Sequence, residues 1–144
     1  MRKQIMIIGA QGSGKSSVAN WLNETEKPLK KRQDAIYGQY TLDIPAGYLE
    51  NPSMYRYIFS LSQTAGLILL LANGKDTISV FPPNFAKSFP CPVVGMVRGT
   101  NEEEKMFAEE VLQAAGVTPP YFLFDLTNRE LADIRRRWVA QLDD

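Results

Sequence analysis

Residues 9 to 16 read Gly-Ala-Gln-Gly-Ser-Gly-Lys-Ser, a complete G-x-x-x-x-G-K-[ST] pattern directly after the apolar stretch Ile5-Met6-Ile7-Ile8. An accidental match somewhere in a chain of 144 residues has odds of roughly one in two hundred. The strand-before, helix-after context lowers those odds further. Glycines at these positions let the backbone turn so that successive N–H groups converge at a helix N-terminus, making a nest for phosphate oxygens. In that reading Gly9, Ala10, Gln11, Gly12, Ser13 and Gly14 line the nest. Lys15 reaches the β- and γ-phosphates and is the candidate catalytic residue. Ser16 offers a hydroxyl to Mg²⁺, and Ser17 supports the α-phosphate.

The rest of the chain alternates strand and helix patterns. Lys3 to Ile8 reads as a buried strand and Lys15 to about Asn23 as a helix. Glu24 to Gln39 lacks either period and reads mostly as loop. Tyr40 to Asp43 looks like a strand closed by Ile44-Pro45, since proline cannot donate to a ladder. Asp43 then sits at a strand's carboxyl end, where a carboxylate holds Mg²⁺ through a water. A turn aspartate before Pro45 is the alternative.

Asn51-Pro52 predicts a helix start, with Asn as cap and Pro at the first helical position, and Gly66 is expected to stop that helix. Leu67 to Leu71 and Pro92 to Val97 are unbroken apolar runs of the kind covered on both sheet faces. Between them a short helix is expected around Asn84 to Ser88. Glu102 to Ala115 is an acid-led helix ended by Gly116. Tyr121 to Phe124 and Arg129 to Leu142 make a last strand and helix. The sum is one α/β domain over residues 1–144, a mostly parallel sheet with helices on both faces. Ligands of such sheets bind beyond the carboxyl ends of the strands.

Composition narrows the chemistry. Hydrophobic residues at 44% and charged residues at 22% suit a globular chain, and the net charge of +0 offers no global field for nucleic acid or an acidic membrane. Histidine is absent, which excludes Ser-His-Asp catalysis and imidazole-based zinc sites. Cys91 is the single cysteine, without a basic activating pair, and reads as inert. No apolar run approaches the roughly 20 residues that cross a bilayer, and nothing near the start resembles a cleavable signal. A cytoplasmic setting is expected. Tyr48, Tyr55, Tyr57 and Phe59 read as packing residues, and Arg135-Arg136-Arg137 as a solvated helical face. The basic run Lys27, Lys30, Lys31 and Arg32 reads as a solvated loop.

These elements together resemble the EutP/PduV family of small Ras-like P-loop proteins, encoded with bacterial ethanolamine- and propanediol-utilisation microcompartments. The resemblance runs over nearly the whole chain. It is carried by Lys3 to Ser17, by Lys30-Lys31-Arg32-Gln33 beside a family K-K-T-Q element, by Leu42 to Pro52 beside I-D-T-P-G-E-Y-x-x-N, and by Pro92 to Val97. It implies a small-GTPase-like P-loop NTPase fold, a nucleotide with Mg²⁺ as ligands, and a cytoplasmic, microcompartment-associated setting with shell or associated proteins as partners.

Five places depart from the family pattern. Arg32 stands where relatives carry the switch threonine, Ala46 where the D-x-P-G glycine presents its N–H, and Gly47 where a water-orienting side chain would follow. The guanine-reading [NT]-K-x-D run falls on Arg98-Gly99-Thr100-Asn101, without its lysine or aspartate, and the later S-A element falls near Phe124-Asp125. The base is therefore open between ATP and GTP. Three functions fit: a nucleoside di- or triphosphate-binding module with slow or absent turnover, an ATP-dependent kinase acting on a small acetate-type carboxylate, and a non-enzymatic assembly or positioning factor.

Overall fold

The computed structural model describes residues 3–10, 12–25, 36–75, 81–124 and 129–142. Among these, six strands form one sheet in the order β2-β3-β1-β4-β5-β6. They are β1 (Gln4–Gly9), β2 (Ile36–Tyr37), β3 (Thr41–Asp43), β4 (Ala65–Asn73), β5 (Val93–Arg98) and β6 (Tyr121–Leu123). Strands β3, β1, β4, β5 and β6 run parallel, and β2 is an antiparallel edge strand on β3. The helices are α1 (Lys15–Asn23), α2 (Gly47–Glu50), α3 (Tyr55–Leu61), α4 (Glu102–Ala114) and α5 (Arg129–Gln141).

Alternation along the central strand sends its side chains to two separate cores. Ile5 and Ile7 of β1 join Leu67, Leu69 and Leu71 of β4 beneath α1 and α5, where Val18, Leu22, Leu131, Trp138 and Leu142 are buried. Met6 and Ile8 join Ile68 and Leu70 on the other face, with Leu49, Ile58, Ala108 and Leu112 from α2, α3 and α4. Both faces of these strands are apolar because both are covered. The register sets Gly9 beside Leu71 and Ile7 beside Asp43. The ends of β1, β3 and β4 therefore lie at one edge of the sheet.

Three local expectations change. Ile36 and Tyr37 lie inside the segment read as loop, yet they pair with Asp43 and Leu42 as β2 through a tight turn in which Gly38 N donates to Thr41 O at 2.7 Å. Residues 26–35 of that segment lie outside the described residues. The helix begun at Asn51 opens with a 3₁₀ turn, Pro52–Met54, with Asn51 Oδ1 accepting from Ser53 N at 3.1 Å. That helix ends before Gly66: α3 gives way to a 3₁₀ turn, Ser62–Thr64, and Gly66 is already in β4. There a Cβ would meet Lys3 Cβ at 3.2 Å and Leu142 Cδ2 at 3.3 Å. The glycine serves close packing and not helix termination.

Arg135 and Tyr57 also depart from their readings. Arg135 is no solvated residue: its side chain is 15% exposed and ion-pairs with Glu24 at 3.0 Å. Its Nε and Nη2 donate to the Leu22 carbonyl at 3.0 and 2.6 Å, and Nε also to that of Trp21 at 3.1 Å. It caps the end of α1, where orphan carbonyls and the helix dipole both favour a cation. Tyr55 and Phe59 do pack, against Phe85, with ring centroids 5.9 and 5.7 Å away. Tyr57 instead faces solvent beneath the Arg56 guanidinium, 5.2 Å from its ring centroid.

Candidate nucleotide-binding site

The glycine-rich loop runs from the end of β1 into α1. Gly12 has φ +80° and Gly14 φ +97°, a left-handed conformation that L side chains resist and glycine accepts. Ser13 N donates to Ala10 O at 3.1 Å, closing the turn. Gly9 carries a second requirement, because a Cβ there would lie 3.1 Å from Leu71 Cβ and directly against Ser13 Oγ. Ser13 is 3% exposed, and its buried hydroxyl has no hydrogen-bond partner among the described residues.

α1 then begins without a side-chain cap and without an acidic residue in its first turn. Its first intrahelical bond runs from Val18 N to Gly14 O at 2.9 Å, so the amides of Lys15, Ser16 and Ser17 precede the helical ladder. Lys15 is half-buried and turns back across the loop, with Nζ donating to Ala10 O at 3.2 Å. Burial pulls its ammonium below the usual lysine range, while the Asp43 carboxylate, and after it that of Glu50, oppose the shift. Asp43 ends β3 half-buried, and Glu50 ends α2. The predicted residues Gly9, Ala10, Gly12 to Ser17 and Asp43 thus share one edge of the sheet. Gln11 lies outside the described residues, as do Lys27, Lys30, Lys31, Arg32 and Asp125.

After Asp43 the chain turns immediately into helix. Ala46 takes φ −57° and ψ −32°, ordinary right-handed values, and starts α2 by accepting from Leu49 N at 3.0 Å. Gly47 is exposed, with open space where a Cβ would be.

Two residues that motif reading did not find connect this loop to the rest. Asn73, the last residue of β4, donates from Nδ2 to Gly12 O at 3.2 Å. Asn23, at the end of α1, donates to Thr41 Oγ1 and accepts from Tyr40 N, both at 2.8 Å, tying the helix to the β2–β3 turn.

The corner between β5 and α4 is organised differently. Asn101 caps α4, with Oδ1 accepting from Glu104 N at 2.8 Å. Thr100 Oγ1 lies 2.8 Å from Glu104 Oε2 and donates to that carboxylate. The Glu104 carboxylate reaches back past the cap and accepts from Thr100 N at 3.4 Å, so the corner is closed by its own side chains. A Cβ on Gly99 would lie 3.0 Å from Lys105 N, and one on Gly74 would run into the Glu104 backbone, so α4 rests directly on both glycines. Phe124 packs edge-on against Trp21 at 5.9 Å.

A parallel sheet with such a loop at the head of α1, and a carboxylate on β3 beside its lysine, defines a P-loop NTPase domain of the small-GTPase type. The chain belongs to the PduV-EutP family, described as ethanolamine utilisation - propanediol utilisation, whose sequence model matches residues 2–139. It is 29% identical over 129 residues to the propanediol utilization protein PduV of Citrobacter freundii, covering 88% of this chain and 86% of that one.

Solved structures share the fold. The elongation factor SelB of Methanococcus maripaludis, in complex with the GTP analogue GppNHp, superposes with a TM-score of 0.58 at 13% identity, over 99% of this chain and 34% of SelB. This chain thus spans about a third of that longer protein. The small COPII coat GTPase Sar1 of Encephalitozoon cuniculi, in complex with GDP, gives 0.59 at 12% identity, over 99% of this chain and 80% of Sar1. Among the described residues no helix is long and apolar enough to cross a membrane.

Proposed function

We propose that this chain binds the phosphates of a nucleoside di- or triphosphate at the loop from Gly9 to Ser17 and works in ethanolamine- or propanediol-utilisation metabolism beside a microcompartment. The observation that carries the reading is the uncapped head of α1, reached through two left-handed glycines and crossed by a half-buried lysine. Free amides and the positive helix end attract an anion. Lys15 exchanges its Ala10 contact for phosphate oxygens, and Ser17 supports the α-phosphate from the same turn. The donor set also suits Mg²⁺, a hard cation that keeps several waters and needs few protein oxygens. Ser16 would hold it by its hydroxyl and Asp43 through a water, and the bound ion neutralises phosphate charge.

Turnover is expected to be slow or absent. Gly47 has no side chain to orient a water, and Ala46 is committed to the first turn of α2. Calorimetric titration with ATP, ADP, GTP and GDP, with and without Mg²⁺, tests the reading. Lys15→Ala should weaken every nucleotide by about two orders of magnitude, as expected when one partner of a desolvated charge pair is removed. Unchanged affinity overturns it.

Transfer from ATP to a small carboxylate is the second reading, favoured by the commitment of Asn101 to a helix cap instead of a guanine edge. Acetyl phosphate formed from ATP and acetate above a Lys15→Ala control supports it, and none above that control rejects it.

A further inference from the structure

Arg98 ends β5, at the carboxyl edge of the sheet and two strands from β1. The position a Cβ would take on Gly14 is 3.1 Å from Arg98 Nη1 and 4.0 Å from its Cζ. The guanidinium therefore rests on the loop where it becomes helix. Among the described residues no hydrogen bond, ion pair or ring contact engages this side chain. The contrast with Arg135, whose guanidinium is held by two carbonyls and Glu24, is complete.

The two cations at the loop lie on opposite sides of it. Lys15 is turned toward β3, where Asp43 and Glu50 influence its ammonium, while Arg98 comes from β5. A ligand whose terminal phosphate meets Lys15 leaves the nest at its other end toward β5. The group at that end is the nucleoside. Around it, Asn101 is engaged by the Glu104 N–H, and the Glu104 carboxylate by Thr100. Among the described residues at that corner, Arg98 is a polar side chain left uncommitted.

We propose that Arg98 is the base-contacting residue of this site, stacking its planar guanidinium on the face of the base without reading its edge; this rests on the nucleotide-binding reading above. A guanidinium stacks on any aromatic face, and every base has one, so such a contact gives affinity without choosing between adenine and guanine.

The test compares ATP, GTP and inorganic tripolyphosphate, each with Mg²⁺, on wild type, Arg98→Ala and Arg98→Lys. Wild type should bind ATP and GTP within about threefold of each other, since neither edge is read. Arg98→Ala should weaken both nucleotides about tenfold and tripolyphosphate less than about twofold. Arg98→Lys, which keeps the charge and loses the plane, should resemble Arg98→Ala. Equal loss on tripolyphosphate makes Arg98 a phosphate ligand and overturns the proposal. So does unchanged affinity for all three ligands, or a wild-type preference above about tenfold for one base. In each of those cases bound tripolyphosphate leaves the loop's own role standing. Wild type that binds neither nucleotide nor tripolyphosphate overturns both readings together.

Discussion

Two helices begin on the same edge of the sheet, and their first turns are opposite in character. α1 starts at a left-handed glycine with no side-chain cap and no acid, and its first residue is a lysine. α4 starts at Asn101, which caps Glu104 N, and carries Glu102, Glu103 and Glu104 in its first turn. Each helix presents orphan amides and a partial positive charge at this end. In α4 the protein supplies its own cap and three carboxylates to set against that charge. In α1 it supplies none and adds a positive charge, which leaves an anion from outside as the natural partner. In the proposed site the phosphate half is thus kept open, while the corner onto which the family's base-reading run falls is a helix cap.

The pH response breaks this contrast most sharply if it fails. Lys15 loses its proton below the usual lysine range because burial disfavours the ammonium. Phosphates favour the ammonium, so the complex takes up a proton, and above the lowered pKa affinity should fall toward about tenfold per pH unit. Calorimetry across that range should show the fall in wild type and lose it in Lys15→Arg, which stays charged. Without ligand the sign reverses: the unfolded chain holds the Lys15 proton to higher pH, so this group favours folding progressively as pH rises between the two values.

Gly14→Ala attacks the head of α1 through its backbone. An L side chain at φ +97° costs about 1–2 kcal/mol, and a Cβ there also meets Arg98. Thermal melting should register that loss, and affinity for tripolyphosphate should drop about tenfold as the amides rotate out of line.

The smallest effect is the sharpest statement about α4. Asn101→Asp restores the carboxylate that guanine-reading relatives carry, yet Asp caps a helix as Asn does. Stability should change by less than about 0.5 kcal/mol, and the ratio of GTP to ATP affinity by less than about threefold. A strong GTP preference in that variant would mean the corner reads bases after all.

Periodicity and motif were enough for β1, α1, β4, β5, α4 and α5, because each is long enough for its apolar pattern to repeat. β2 and α2 escaped for the opposite reason. Two residues of β2 carry no period, and they form a strand because Gly38 turns the chain back onto β3. Pro45-Ala46-Gly47 carries turn signals, but Leu49 is buried beneath the segment and draws it into helix. The loop residues were legible because their spacing encodes backbone geometry. Asn73 was not, since its partner Gly12 is 61 positions away. Nor was Arg135, whose carbonyl partners at α1 are 113 and 114 positions away. Arginine spacing on one helix says nothing about the end of another.

That last contact makes α1 a beam fastened at its far end by Arg135 and Asn23. Its other end carries the amides to which the proposed function assigns the phosphates. The two ends are consequently reciprocal in free energy: whatever holding the tail contributes to affinity at the head, occupancy at the head returns as protection of the tail. A nucleotide that never touches α5 should therefore slow amide exchange around Arg135, and the carboxyl-terminal helix becomes a remote gauge of whether the loop is filled.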